Sequence, residues 1–204
     1  MSIDDGQFAI VSAEQRPDLI PAFGALAAPV WPSFIDGDRA VLDHWDRLFG
    51  MGLARFQFLM LRVSGSGAEQ VVATSNGIPF VWTSPDDDAS LPDDGWDAVL
   101  AAGIEAFAAG RTANALSALS IVVAPAMRGS ALAERLLLNM KDCARQNGFE
   151  ALVAPVRPTR KSAYPLTAFE DYLGWTTDSG APFDPWVRKH WQLGPGSSKS
   201  RRVR

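Results

Sequence analysis

The stretch from Leu116 to Glu150 constrains the fold of this chain most, because it has the pattern of a strand, a tight turn and a long helix. Residues 116–123 are apolar, few in number and partly β-branched, which predicts a strand. Pro125 ends the strand, since proline cannot donate a ladder hydrogen bond. A helix with apolar residues at helical spacing follows and ends at Gly148. The whole stretch is typical of an α/β domain.

The turn between this strand and helix is built from small residues. Gly129, Ser130, Ala131 and Ala133 lie where the helix begins. Small side chains at a helix start leave backbone N–H groups open to a ligand, and the positive end of the helix dipole attracts phosphate oxygens. Ordinary strand–helix junctions also use small residues, so the pattern alone allows either phosphate binding or plain packing.

The same turn resembles the acetyl-CoA-binding signature of the Gcn5-related N-acetyltransferases, the GNAT superfamily, which reads V-x-P-x-x-[QR]-x-x-G-x-[GA]. Val123, Pro125, Arg128 and Ala133 match it position for position, and Ala131 replaces its central glycine. The resemblance implies a mixed, mainly antiparallel sheet flanked by helices on both faces. It also implies acyl transfer from acetyl-CoA, or another acyl-CoA, to an amine.

The resemblance further implies which residues hold the co-substrate. In the family, the strand pairs with the pantetheine arm and backbone amides of the turn hold the CoA pyrophosphate. The Val123 amide is then the candidate donor that polarises the thioester carbonyl. The residues implicated are Ile121, Val123, Arg128, Gly129, Ser130, Ala131, Leu132, Ala133 and Glu134.

The catalytic acid and base are less clearly marked. Gly174-Trp175 resembles the Gly-Phe that closes a short helix in the family, where a tyrosine four residues before the glycine is the general acid. Glu170 occupies that position here, and Tyr164 and Tyr172 lie nearby. Either tyrosine could protonate the departing thiolate, and Glu170 is a candidate base. The other candidate bases are His190, Ser117, Ser120 and an aspartate of the acidic loop at residues 83–96.

The remaining elements follow the order that the family requires. Gly77 and Pro79 predict a bulge or an irregular end within one strand. Apolar periodicity predicts strands over 8–11, 56–63, 70–82, 151–156 and 187–193, and helices over 18–28, 39–51, 96–109 and 166–173, with Thr167 as a cap.

Length and charge set further expectations. A chain of 204 residues favours one domain, predicted over 1–194, followed by a disordered basic tail at 195–204. The net charge of −4 gives no electrostatic reason to expect nucleic-acid binding. The single cysteine, Cys143, excludes an intrachain disulfide, and the two histidines lack the partners of a metal site.

Location and function complete the predictions. The chain has no run of about 18 apolar residues and no secretory signal, so we expect a cytoplasmic protein that is not membrane-bound. The predicted function is transfer from acyl-CoA to a small-molecule or peptide amine, and the sequence allows a homodimer. Because Ala131, Glu134 and Glu170 depart from the catalytic pattern, the alternative is an acyl-CoA-binding or protein-interaction module without catalysis. The seven tryptophans also leave open an apolar pocket for a longer acyl chain.

Overall fold

The structure is a computed structural model that describes residues 7–50, 52–84, 90–92 and 94–193. Its contacts divide the chain into two compact units, the first ending at Ala154 and the second beginning at Pro155. The single domain over 1–194 stays a prediction. The basic tail at 195–204 and part of the acidic loop, including Asp86, Asp87, Asp88 and Asp93, lie outside the described residues.

The first unit contains one five-stranded sheet in the order β1-β2-β3-β4-β5. The strands are β1 (Gln7–Ser12), β2 (Gln57–Val63), β3 (Glu69–Phe80), β4 (Ala115–Val123) and β5 (Ala151–Val153). Neighbouring strands run antiparallel, except that β4 and β5 are parallel. The mixed, mainly antiparallel sheet predicted from the sequence is therefore confirmed.

The bulge predicted around Gly77 is also confirmed. Asn76 pairs with Ser120 whereas Gly77 pairs with Ala118, so Leu119 of β4 is an extra residue in the ladder. A Cβ at position 77 would lie 3.0 Å from Met140 Cε, so the Met140 side chain would have to shift if glycine were replaced there.

Helices cover both faces of the sheet, as predicted. Those of the first unit are α1 (Pro21–Ala27), α2 (Arg39–His44), α3 (Gly95–Ala108) and α4 (Leu132–Gln146). Gly103 of α3 packs against Ile78, whereas Met140 of α4 approaches the neighbouring Gly77. Adjacent residues of a strand point to opposite faces, so α3 and α4 lie on opposite sides of the sheet.

The core of the first unit follows from the helical spacing of apolar residues. Leu132, Leu136 and Met140 of α4 are buried against Met60 and Ala73 of the sheet. On the α3 side, the buried residues include Ile78, Phe80, Leu100 and Ile104. This burial aligns α4 with β4, so the turn between them is held in a defined position.

The second unit contains α5 (Phe169–Leu173) and α6 (Pro185–Leu193). The prediction of a last strand over 187–193 is wrong, because these residues belong to α6. The carboxylate of Asp184 accepts the backbone N–H groups of Trp186 at 3.0 Å and Val187 at 3.2 Å. An aspartate cap followed by proline starts a helix, and this signal outweighs the strand propensity of the aromatic and β-branched residues that follow.

Other boundaries also differ from the predictions. The helix predicted over 39–51 is α2 followed by a 3₁₀ turn at Trp45–Phe49. The strand predicted to reach residue 156 ends at Val153. Helix α5 begins at Phe169 after Ala168, so Thr167 does not cap it.

No helix within the described ranges is long and apolar enough to cross a membrane.

Candidate functional site

One edge of β4 is open over most of its length. The parallel pairing with β5 covers only Ala115–Ser117, and no described strand pairs with the rest of that edge. Beyond the end of β4, the Ala124 N–H donates to the Val72 carbonyl, 2.9 Å away, and so points toward β3. Because backbone groups alternate in direction along a strand, the amides of Ile121 and Val123 point toward the open edge. This edge can receive an extended ligand through main-chain hydrogen bonds.

The turn after β4 is shaped by its own backbone bonds. Pro125–Met127 form a 3₁₀ turn, and the Met127 N–H donates to the Ala124 carbonyl at 2.8 Å. The Ser130 hydroxyl donates to the Met127 carbonyl. Gly129 has φ of 82°, a left-handed conformation that favours glycine. Apart from Gly129 and its two chain neighbours, no described residue has a heavy atom within 4 Å of the position of a Cβ there. The chain therefore reverses into α4 with open space in front of the turn.

No described side chain caps the N-terminus of α4. Ala131 occupies the cap position and cannot accept a hydrogen bond through its side chain. The backbone N–H groups of Leu132 and Ala133 take no partner from the described part of the chain. These unsatisfied amides and the helix dipole form an environment that favours an anion.

Two charged side chains flank this turn. The exposed guanidinium of Arg128 makes no ion pair or side-chain hydrogen bond with any described residue, so it can contact an anion directly. Glu134 adds a carboxylate to the first turn of α4, which opposes anion binding. The structure thus gathers the predicted residues from Ile121 to Glu134 along one strand edge, one turn and one helix start.

A buried polar network crosses the sheet at the bulge. Gln57 Nε2 donates to the Gly77 carbonyl at 2.8 Å, and Gln57 Oε1 accepts from Asn76 Nδ2 at 3.1 Å. Asn76 Oδ1 then accepts the Ser120 hydroxyl at 2.7 Å. Sequence reasoning did not identify Gln57 or Asn76 as functional, although polar residues within apolar strands were the available signal. The network holds the bulged segment of β4 in place.

A cavity of about 290 Å³ lies on the α1 side of the sheet. Thr74, Asn76 and Val122 supply its sheet residues, while Trp31, Asp36 and Trp45 contribute from outside the sheet. Val122 lies between Ile121 and Val123, whose amides face the open edge. The cavity therefore adjoins the segment of β4 that can bind an extended ligand. Its other lining residues are Phe23, Gly24, Ala27, Ala28 and Ser33.

A row of indole rings connects this cavity to the bulge. Trp31 meets Trp45 edge to face, with ring centroids 5.0 Å apart, and Trp45 stacks on Trp96 at 5.8 Å. Trp96 Nε1 donates to the carbonyl of Leu119, the bulged residue, at 2.8 Å. These contacts give the cavity a rigid aromatic wall.

In the second unit, Tyr172 is 1% exposed and its hydroxyl donates to Asp184 Oδ2 at 2.8 Å. Burial and this hydrogen bond raise the pKa of Tyr172 to about 12. Burial opposes ionisation of Asp184, but hydrogen bonds from the Arg160 amide, the Tyr172 hydroxyl and the Val187 amide outweigh it and lower the pKa of Asp184. The Tyr172 hydroxyl is therefore engaged in holding the second unit together.

The other candidate acid–base residues are placed as follows. Tyr164 is half-buried, packs edge-on against Trp175 at 4.9 Å, and has a hydroxyl that bonds to no described residue. Glu170 is exposed on α5, and burial lowers the pKa of His190 on α6. The Ser117 hydroxyl is buried without a partner among the described residues. The catalytic roles of Tyr164, Tyr172 and Glu170 stay predictions.

Comparison with known proteins places the chain in a family. No family model matches the sequence. The chain is 36% identical over 200 residues to arginine N-acetyltransferase avaD of Aspergillus versicolor, covering 92% of this chain and 68% of that protein. Its fold is similar to the loading GNATL domain of CurA from Lyngbya majuscula, with 18% identity, a TM-score of 0.64, and coverage of 92% of this chain and 84% of that one.

A second solved structure has the same fold, the GphF GNAT-like decarboxylase in complex with isobutyryl-CoA. It is 21% identical, with a TM-score of 0.56 and coverage of 92% of this chain and 85% of that one. These structural similarities agree with the short parallel pairing of β4 and β5 and with the motif at residues 123–133. Together with the sequence relative, they show that this chain belongs to the GNAT superfamily of N-acetyltransferases.

Proposed function

We propose that this protein transfers the acyl group of an acyl-CoA to the amine of a small molecule. The observation that carries the proposal is the series of unpartnered backbone amides that runs from the open edge of β4 to the uncapped N-terminus of α4. An extended pantetheine arm would pair with Ile121 and Val123, and a diphosphate would accept from the amides of Leu132 and Ala133. Acyl-CoA is accordingly the co-substrate.

The residues present fit this co-substrate in size and charge. The turn at Gly129 leaves room in front of the amides, and Arg128 supplies an exposed cation beside them. Ala131 adds one methyl where the family signature has glycine, on the exposed side of the turn. The carboxylate of Glu134 reduces the attraction for phosphate, so we expect the open amides and Arg128 to supply most of the affinity.

The chemistry requires a neutral amine, a polarised thioester and a proton for the leaving thiolate. The Val123 amide points toward the open edge and would stabilise negative charge that develops on the thioester oxygen. Tyr164 is a better candidate for the general acid than Tyr172, since the Tyr172 hydroxyl already donates to Asp184. Glu170 remains the candidate base.

The sequence relative suggests where to search for the acceptor. That protein is named an arginine N-acetyltransferase, and the present chain covers most of its length. We therefore propose a small amine that also carries a guanidinium or a second ammonium group. The aromatic cavity beside Val122, which contains the carboxylate of Asp36, is chemically suited to such a cation.

The test is turnover of acetyl-CoA with a panel of amines that includes L-arginine, agmatine and L-lysine. CoA release would be followed with a thiol reagent, corrected for hydrolysis without amine, and the products identified by mass spectrometry. Amine-dependent release with an acetylated product supports the proposal. If calorimetry shows no binding of CoA, the proposal fails.

The alternative is a binding module without catalysis, favoured by Glu170 at the position of the family's tyrosine and by the engaged hydroxyl of Tyr172. Tight CoA binding without turnover of any amine would support this alternative. An isobutyryl-CoA or longer acyl-CoA that outcompetes acetyl-CoA would instead support an enlarged acyl pocket.

A further inference from the structure

We propose that the cavity beside β4 recognises a permanent positive charge on the acceptor, which Asp36 pairs with and the indole of Trp31 covers. The inference rests on the proposed function, because it assigns the acceptor end of that reaction. It concerns the part of the substrate that does not react.

The charge of the cavity supports this assignment. Of the described residues that line it, Asp36 alone is ionisable. Its carboxylate takes no hydrogen bond or ion pair from any described side chain. Asp36 is exposed to solvent, so its carboxylate is accessible to a cationic ligand, whereas an acceptor with a carboxylate at this end would be repelled.

The aromatic side chains of the cavity also favour a positively charged ligand. Trp31 and Trp45 both line the cavity, and tryptophan is the aromatic side chain that attracts a cation most strongly. Trp45 is already held between Trp31 and Trp96. The indoles would therefore lose little conformational freedom when a ligand binds.

The polar side chain of Asn76 in the cavity is held in place by hydrogen bonds within the protein. Asn76 lines the cavity, and its carboxamide already donates to Gln57 and accepts from Ser120. At about 290 Å³ the cavity is at the lower limit for small-molecule sites, which suits a ligand of amino-acid size.

The position of the cavity implies an acceptor with two basic groups. Val122 lines the cavity, and the amides of Ile121 and Val123 on either side of it face the open edge where the thioester would lie. The nitrogen that attacks must lose its proton, while the nitrogen group held by Asp36 must keep its charge. A guanidinium satisfies the second condition because it stays protonated at any pH the protein tolerates.

The first experiment measures binding rather than turnover. L-arginine and its neutral isostere L-citrulline are titrated into the CoA-saturated protein by calorimetry. We expect arginine to bind about tenfold tighter or more, and Asp36→Asn to abolish most of that preference. Asp46→Asn is the matched control, since Asp46 is an exposed carboxylate nearby that does not line the cavity.

The aromatic contribution is tested with Trp31→Leu, which we expect to weaken arginine binding about fivefold. Trp191→Leu is its control, because Trp191 is 60% exposed on α6 and outside the cavity. In turnover assays, Asp36→Asn should raise KM for arginine and leave kcat nearly unchanged. A change in kcat at constant KM would contradict a role in holding the non-reacting charge.

The two proposals fail in different ways. If arginine and citrulline bind with equal affinity, or Asp36→Asn leaves the preference for arginine unchanged, the cavity does not discriminate ligands by charge. This conclusion holds even if the protein acetylates amines. If the protein prefers arginine over citrulline and the preference depends on Asp36, but no amine is acetylated, the cation site is supported and the proposed transferase function is refuted. Circular dichroism of each variant checks that the fold is retained.

Discussion

The helices α4 and α6 begin in opposite ways. At α6, the carboxylate of Asp184 accepts the first backbone N–H groups of the helix and is itself 3% exposed. At α4, Ala131 stands in the cap position and offers no acceptor. The first backbone N–H groups of both helices have no acceptor within the helix; at α6 the Asp184 carboxylate accepts them, whereas at α4 no described residue accepts those of Leu132 and Ala133.

This difference distinguishes a helix start that stabilises the fold from one that can bind a ligand. Donors satisfied by a buried carboxylate stabilise the fold and are closed to ligands, as at α6. Donors left open at a turn of small residues reduce helix stability slightly and remain available to an anion, as at α4. We therefore expect substitutions at α6 to change mainly stability and substitutions at α4 to change mainly affinity for CoA.

The largest expected effect is that of Asp184→Ala. The substitution leaves five donors without their acceptor, and those of Tyr172 and Val187 are buried, so we expect the free energy of unfolding to fall by about 3–5 kcal/mol. Denaturant unfolding, followed by the near-ultraviolet signal of the aromatic residues, measures the loss. A loss under about 1 kcal/mol would show that the capped helix start is not the structural support we describe. The donors affected are Thr159, Arg160, Tyr172, Trp186 and Val187.

The second prediction concerns a variant of α4 that has an aspartate at its N-cap position, as α6 has in Asp184. Ala131→Asp places a carboxylate where the phosphates are expected, so CoA affinity should fall at least tenfold, about 1.4 kcal/mol. The free energy of unfolding should stay unchanged or rise by up to about 1 kcal/mol, because the new side chain can cap the helix. Ala131→Asn is the neutral control and should weaken binding less. Undiminished affinity in Ala131→Asp would rule out the α4 amides as the phosphate site.

The third prediction compares the two tyrosines of the second unit. Tyr172→Phe removes the hydrogen bond to Asp184 and should lower the free energy of unfolding by about 1–2 kcal/mol. The folded pKa of Tyr172 is raised to about 12, so its contribution is fully present below pH about 10 and is lost as pH rises toward 12. The stability of Tyr172→Phe should therefore fall less over that range.

Tyr164→Phe is the counterpart, because the hydroxyl of Tyr164 takes no partner among the described residues. It should change stability by less than about 0.5 kcal/mol. If Tyr164 is the general acid, kcat should fall by about 100-fold or more with little change in KM. Full activity in this variant would remove Tyr164 from the catalytic candidates.

Of the two substitutions that remove a helix cap, Asp38→Ala has the smaller expected effect. Asp38 caps α2 by accepting from the amides of Ala40 at 2.9 Å and Val41 at 3.2 Å. Its loss should cost about 1 kcal/mol in the free energy of unfolding and leave CoA affinity unchanged. An effect on CoA affinity would show that capping and ligand binding are not separable in the first unit.

The sequence predicted β4, its turn and α4 well because their signals are local. Proline, small residues and helical spacing all act within a few positions of one another. The same kind of local signal was available for α6 at Asp184-Pro185, but the tryptophans and Val187 favoured a strand on propensity. There the energy of a buried cap decided the outcome, and sequence alone does not show whether an aspartate will be buried.

Sequence by itself determined the order of elements in the first unit, the bulge region around Gly77 and the small-residue turn that opens into α4, since each depends on backbone preferences of neighbouring residues. Only the tertiary structure decided that Gln57, Asn76 and Ser120 form one network, and that Trp31 and Asp36 share a cavity with Val122. These groups are far apart in the chain. Strand register and helix packing bring them together, and both arise from the burial of the whole apolar core.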